Sequence, residues 1–153
     1  LARGEFIALA GNLVALSRNE RFIDKDLNRI WTPENVEALI AGKADGAVED
    51  RQQRELLEIL GRLLDGARGP VIFLDLHTSS AEGPPFLTIG DTLRNRAFAL
   101  RYPLPVILGL EEQVDGALLE YMNNFGAITM GVEGGHHQSG ESVRRHEIGR
   151  AHV

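Results

Sequence analysis

Apolar and polar positions fall into blocks whose period changes along the chain. The run Val71-Ile72-Phe73-Leu74 leads directly into Asp75-Leu76-His77-Thr78-Ser79-Ser80. A continuous apolar stretch of that length predicts a strand buried on both faces. Shorter apolar runs predict strands at Phe6 to Leu9, Phe86 to Ile89, Val106 to Leu108 and Ala127 to Val132. Helical spacing replaces these runs from Val48 to Leu64, where Val48, Leu56, Leu60, Leu63 and Leu64 recur with arginines and glutamates on the other face. Thr32-Pro33-Glu34 opens a helix through Ile40, with threonine as cap and proline in the first turn. Asp91 is expected to cap a helix through about Leu100, and Asp115 to begin one through about Asn124. Leu13 to Leu16 fits either extended chain or a single turn. Ser17 to Arg29 is too charged for a core element and predicts an irregular loop anchored by Phe22, Ile23 and Leu27. Gly42 to Gly46 predicts a surface loop. Strands alternating with helices predict a layered α/β/α fold around a mixed, mostly parallel sheet.

The chain has 153 residues, which suits one domain with its own core. A net charge of -6 and the lack of any basic block exclude a nucleic-acid surface. No apolar segment approaches the roughly 18 residues that a membrane span needs. The absence of cysteine excludes disulfides, thiol chemistry and cysteine-based zinc knuckles, and it fits a cytoplasmic location. Leu1-Ala2-Arg3-Gly4 reads as the tail of a helix with a glycine stop, so preceding sequence is expected. The last residues, Ile148 to Val153, back-translate to a widely used sequencing adapter. A read-through tail is therefore expected over 148–153, and His152 is set aside as a ligand.

Three stretches carry candidate chemistry. Asp75 and His77 are two apart, so on extended backbone they point to the same side, at the strand end where α/β sheets gather ligands. An imidazole braced by a carboxylate is the usual arrangement of a metal-ligating histidine. The ordinary alternative is a core-edge histidine bonded to backbone. Arg21-Phe22-Ile23-Asp24-Lys25-Asp26-Leu27-Asn28-Arg29 is the second stretch. Arginine forks match carboxylates and asparagine adds donors, which suits a small acidic ligand. A solvated loop with local ion pairs is its alternative. Glu133 is the third, a carboxylate at a strand end after Ile128, Met130 and Val132. Shielded from water, it suits the work of a general base, whereas a surface glutamate closing a strand is the commoner case.

Supporting positions surround these three. Gly134-Gly135 allows a close backbone approach to a ligand. His136 and His137 are adjacent and rarely could both reach one ion, so one is expected as a site-lining donor. Thr78-Ser79-Ser80 offers hydroxyls beside a metal or caps for the next turn. Trp31 is expected to be a packing anchor.

Taken together, the chain resembles the succinylglutamate desuccinylase/aspartoacylase family, relatives of the zinc carboxypeptidases. The matching pieces are Gly11-Asn12, Arg21-Phe22-Ile23-Asp24, Asp26-Leu27-Asn28-Arg29, Asp75-Leu76-His77-Thr78 and Gly131-Val132-Glu133-Gly134. They run in that order from about Phe6 to Gln138. The resemblance implies a zinc-carboxypeptidase-like fold and one zinc ion held by His77 and a His-x-x-Glu pair. That pair is expected upstream of Leu1, so residues 1–147 are expected to be a partial catalytic domain, inactive alone. It further implies that Arg21 polarises the scissile carbonyl, while Asn28 and Arg29 hold a substrate carboxylate and Asp26 supports the site from behind. Asp75 stands behind His77, and Glu133 takes a proton from water and passes it to the leaving amine. The implied partner is a small acidic amide, an N-acyl amino acid or a relative of one. Family members that cleave N-acetylaspartate carry another arginine about ten residues before the base. Tyr121-Met122-Asn123-Asn124 occupies that neighbourhood here. A carboxypeptidase and a non-catalytic small-acid binder are the alternatives. The leading reading requires groups 77, 21 and 133 to converge on one pocket.

Overall fold

Two compact units make up the chain in the computed structural model, Leu1–Gly69 with Asp115–Tyr121 and Pro70–Val114 with Met122–Val153. The described residues are 4–151, so the helix tail expected at Leu1 to Arg3 and the excluded His152 lie outside them.

Helices build the first unit. Asn12 caps α1, Leu13–Arg18, by accepting from the Ala15 amide, and Asn19 ends it in the left-handed conformation that asparagine tolerates. Leu13 to Leu16 thus takes the helical of its two expected forms. Thr32 caps α2, Pro33–Ile40, as its sequence predicts. The long helix α3, Val48–Gly66, packs Leu56 and Leu60 into a core that also holds Ala15, Ile30, Trp31, Val36, Leu39, Ala117 and Leu119. Trp31 is a packing anchor, its ring 5.2 Å from that of Tyr121. Phe6 to Leu9 is not a buried strand: it belongs to no ladder, and Phe6 is 72% exposed. Apolar sequence makes a strand only where a neighbour pairs its backbone, and among the described residues none does.

The second unit is a four-stranded sheet. Its strands are β1 (Ile72–Ser79), β2 (Phe86–Ile89), β3 (Val106–Leu108) and β4 (Ile128–His136), in the order β1-β4-β2-β3. β1 runs parallel to β4 and β2 parallel to β3, while β2 and β4 are antiparallel. This is the mixed α/β sheet expected. Helices α4, Leu93–Ala99, and α6, Gly140–Ala151, pack on it; between them in sequence lies α5, Leu118–Asn124. The core gathers Leu87, Ile89, Phe98, Ala99 and Met130, with Leu74, Val106, Ile128 and Val132 packed around them.

Two details differ from the sequence reading. β1 is an edge strand among the described residues, and Leu76 is 57% exposed, so this strand is not buried on both faces. Thr92, not Asp91, caps α4, because Thr92 takes the extended backbone of a cap and accepts from the Asn95 amide. Asp91 pairs instead with Arg96. No helix among the described residues is long and apolar enough to cross a membrane.

Candidate active site: a carboxylate-imidazole pair and an arginine loop

The parallel register of β1 and β4 sets His77 opposite Glu133 and Asp75 opposite Gly131. Side chains alternate along a strand, so Asp75, His77 and Glu133 lie on one face of neighbouring strands about 4.8 Å apart. The Nε2 atom of His77 lies 2.8 Å from Oδ2 of Asp75, a contact that fixes the orientation of the ring. The sequence reading placed this carboxylate behind this imidazole, and the structure pairs them. One oxygen of Glu133, Oε2, is buried with no hydrogen-bond partner. Leaving such an atom unsatisfied costs about 1–3 kcal/mol, so a hydrogen-bond donor brought to it would be stabilised.

Glu133 does not close its strand. β4 continues through Gly134 and Gly135 to His136. A Cβ at Gly134 would collide with the His146 ring and the Ser142 carbonyl, and Gly135, at φ 110°, lies against Arg145. The close approach that these glycines permit is therefore that of α6, not of a ligand. His146 Nε2 lies 3.1 Å from the Val132 carbonyl, Arg145 donates to the Gly134 carbonyl, and Ser142 Oγ donates to the His136 carbonyl. The carboxyl ends of the strands are tied by Thr78 Oγ1 and His137 Nδ1 at 2.7 Å. Ser79 donates to the Ala81 carbonyl, so it takes the turn-forming of its two roles.

In the other unit, Asp26 receives Arg21 through Nε and Nη2 at 2.9 and 2.8 Å. Its second oxygen accepts the Asn28 amide. Asn28 Oδ1 accepts the Leu118 amide, and Arg29 Nη1 donates to the Asn28 carbonyl at 2.6 Å. Gly116 backs this segment. At φ 72° it leaves no room for a Cβ against the Arg29 carbonyl, and its own carbonyl accepts the Trp31 amide. Phe22, expected to anchor the loop, is 43% exposed.

Glu49, one of the glutamates among the polar residues of α3, is the main anchor. It is 0% exposed. Its Oε1 accepts from Asn12 Nδ2 and the Ile23 amide, both at 2.7 Å. Its Oε2 accepts from the Asp24 and Lys25 amides. Burial pushes its pKa up, but the donors of Ile23, Asn12, Asp24 and Lys25 outweigh this and hold it at about 2. In return, Asp24 accepts the Val48 amide at the start of α3. Lys25 reaches Asp50 at 2.6 Å and Asp45 at 2.9 Å. An acidic residue in a first helical turn ordinarily reads as a complement to the helix dipole, so the sequence carried no sign of this role.

Arg21, Asp26, Asn28 and Arg29 thus belong to the first unit, and Asp75, His77 and Glu133 to the second. The segment Tyr121 to Asn124, which carries no further arginine, is engaged structurally. Asn123 Oδ1 accepts from Arg94 and Asn95. Among the described residues no group of three or more histidines, cysteines, aspartates or glutamates could hold a metal ion. His77, braced by Asp75, offers one donor of the three that a catalytic zinc takes from its protein, so these residues do not by themselves form a zinc site.

Two solved structures resemble the chain. Succinylglutamate desuccinylase from Chromobacterium violaceum is 20% identical, with a TM-score of 0.65 over 86% of this chain and 43% of that one. A succinylglutamate desuccinylase/aspartoacylase from Rhodobacter sphaeroides is 19% identical, with a TM-score of 0.66 over 94% of this chain and 42% of that one. At such identities they show the fold, and the chain spans less than half the length of either. No curated protein matches the chain. The succinylglutamate desuccinylase/aspartoacylase catalytic domain matches residues 1–151. The ordered motifs from Gly11-Asn12 to Glu133-Gly134 fall within that span, and the chain belongs to this family.

Proposed function

We propose that the chain is part of a zinc-dependent amidohydrolase that cleaves the amide bond of N-acyl amino acids or related small amides. The observation that carries this reading is the buried, unpartnered Oε2 of Glu133 in register with His77. In this reading Glu133 accepts a proton from the attacking water and returns it to the departing amine, the two halves of general acid-base catalysis. Arg21, held by Asp26, stabilises the negative charge that develops on the carbonyl oxygen. Asn28 and Arg29 hold the carboxylate of the substrate, Arg29 through its planar fork. A zinc ion would supply Lewis acidity to the reaction, with His77 as one of its ligands. The described residues lack the rest of that donor set, and the roles above are confined to what this chain's own groups do.

The test is a comparison of acidic and uncharged amides in the intact protein. N-succinylglutamate should be hydrolysed, and Arg29→Ala should raise its KM by roughly 10- to 100-fold, as expected for loss of one charge-assisted pair. An uncharged N-acyl amide should lose far less. Equal losses on both substrates would remove the carboxylate-binding role. A protein that binds N-succinylglutamate but never cleaves it, with zinc bound, would favour a non-catalytic acid-binding homologue.

A further inference from the structure

The family motifs do not include the residue on which the arginine loop is built. Glu49 sits in the first turn of α3, yet none of its four bonds serves that helix. Three go to consecutive backbone amides, Ile23, Asp24 and Lys25. These residues lie between Arg21 and Asp26, the ion pair that orients one guanidinium. The fourth goes to Asn12, whose Oδ1 caps α1. The loop answers through Asp24, which accepts the Val48 amide. Loop and helix therefore terminate each other's orphan groups.

We infer that Glu49 is the positioning residue of the arginine loop, a carboxylate latch that holds residues 21–29 in the conformation that recognises an acidic ligand. The ligand class rests on the function proposed above; the latch itself does not. A neutral amide at 49 has the same shape but offers one acceptor oxygen where four donors converge. Some of the three loop amides would then face an NH2 group that cannot accept from them. Local opening of 21–29 would compete with ligand binding, because binding requires the closed loop. Lys25 supports the latch from outside through Asp45 and Asp50, but that arrangement is more exposed to water and correspondingly weaker.

The test uses the intact protein and its Glu49→Gln variant, with Glu49→Asp as a second. Amide hydrogen exchange at Ile23, Asp24 and Lys25 should speed up by about tenfold or more in Glu49→Gln, as loss of charge-assisted bonds implies. Exchange at Thr129 and Met130 in the sheet should not change. Titration with L-glutamate should show affinity weakened by about tenfold, with partial recovery in Glu49→Asp, which keeps the charge. If Glu49→Gln does not fold, the same two measurements on Glu49→Asp decide, with smaller changes expected in the same direction. Unchanged exchange at the three amides would overturn the latch. Faster exchange with unchanged glutamate affinity would overturn its service to recognition. If the unsubstituted protein binds neither L-glutamate nor N-succinylglutamate, the acidic-ligand reading fails, and exchange alone judges the latch.

Discussion

Glu49 and Glu133 are two carboxylates with opposite fates. Glu133 keeps one buried oxygen unmatched, and Glu49 has every bond it can use. An unmatched carboxylate oxygen can still take a partner, and a saturated carboxylate holds structure in place. The difference has a consequence in acid. Folded, Glu49 stays charged down to about pH 2, whereas an ordinary glutamate takes up its proton near 4.5. Its stabilisation is therefore complete above about pH 4.5 and is lost as the pH falls from there toward 2. Urea unfolding of the intact protein across that window should show a decline that Glu49→Gln flattens. A decline of the same steepness in both proteins would show that other carboxylates cause it.

Among the elements, Gly116 lets one backbone support another. Alanine there would be strained by φ 72° and would collide with the Arg29 carbonyl. Gly42→Ala shares the strain, at φ 69°, but meets open space. Both substitutions should cost about 1–3 kcal/mol through conformation alone. Gly116→Ala should lower the melting temperature further and raise KM for acidic substrates, because it displaces Arg29. Equal effects of the two on KM would contradict the contact.

The elements also show what a sequence reveals. β2 and β3 match their predicted ends, and Thr32 caps α2 as its position before Pro33 implies, because period and capping are local signals. The Asp75–His77 pair is legible for the same reason, as neighbours along the chain, whereas the partner of Arg21 is not, because its loop offers several carboxylates. Phe6 to Leu9 failed because a strand depends on a partner elsewhere. Glu49 was missed because its donors are loop amides more than 20 residues away, which no helical period encodes. Gly134-Gly135 was read as room for a ligand because the sequence does not show α6 folding back onto β4.

At the scale of the whole molecule, the chain divides its candidate chemistry between two units. One carries the guanidinium groups and the other carries the imidazole and the base. The chain matches less than half the length of the solved relatives, and the activity proposed above is that of the intact protein. There the reading stands on Glu133, and the decisive measurement is turnover of N-succinylglutamate by the zinc-loaded Glu133→Gln protein, taken with its metal content. The account predicts unchanged zinc and a fall in kcat of roughly 10²- to 10⁴-fold, the usual contribution of a positioned general base. Turnover equal to that of the unsubstituted protein, at equal zinc, would contradict it.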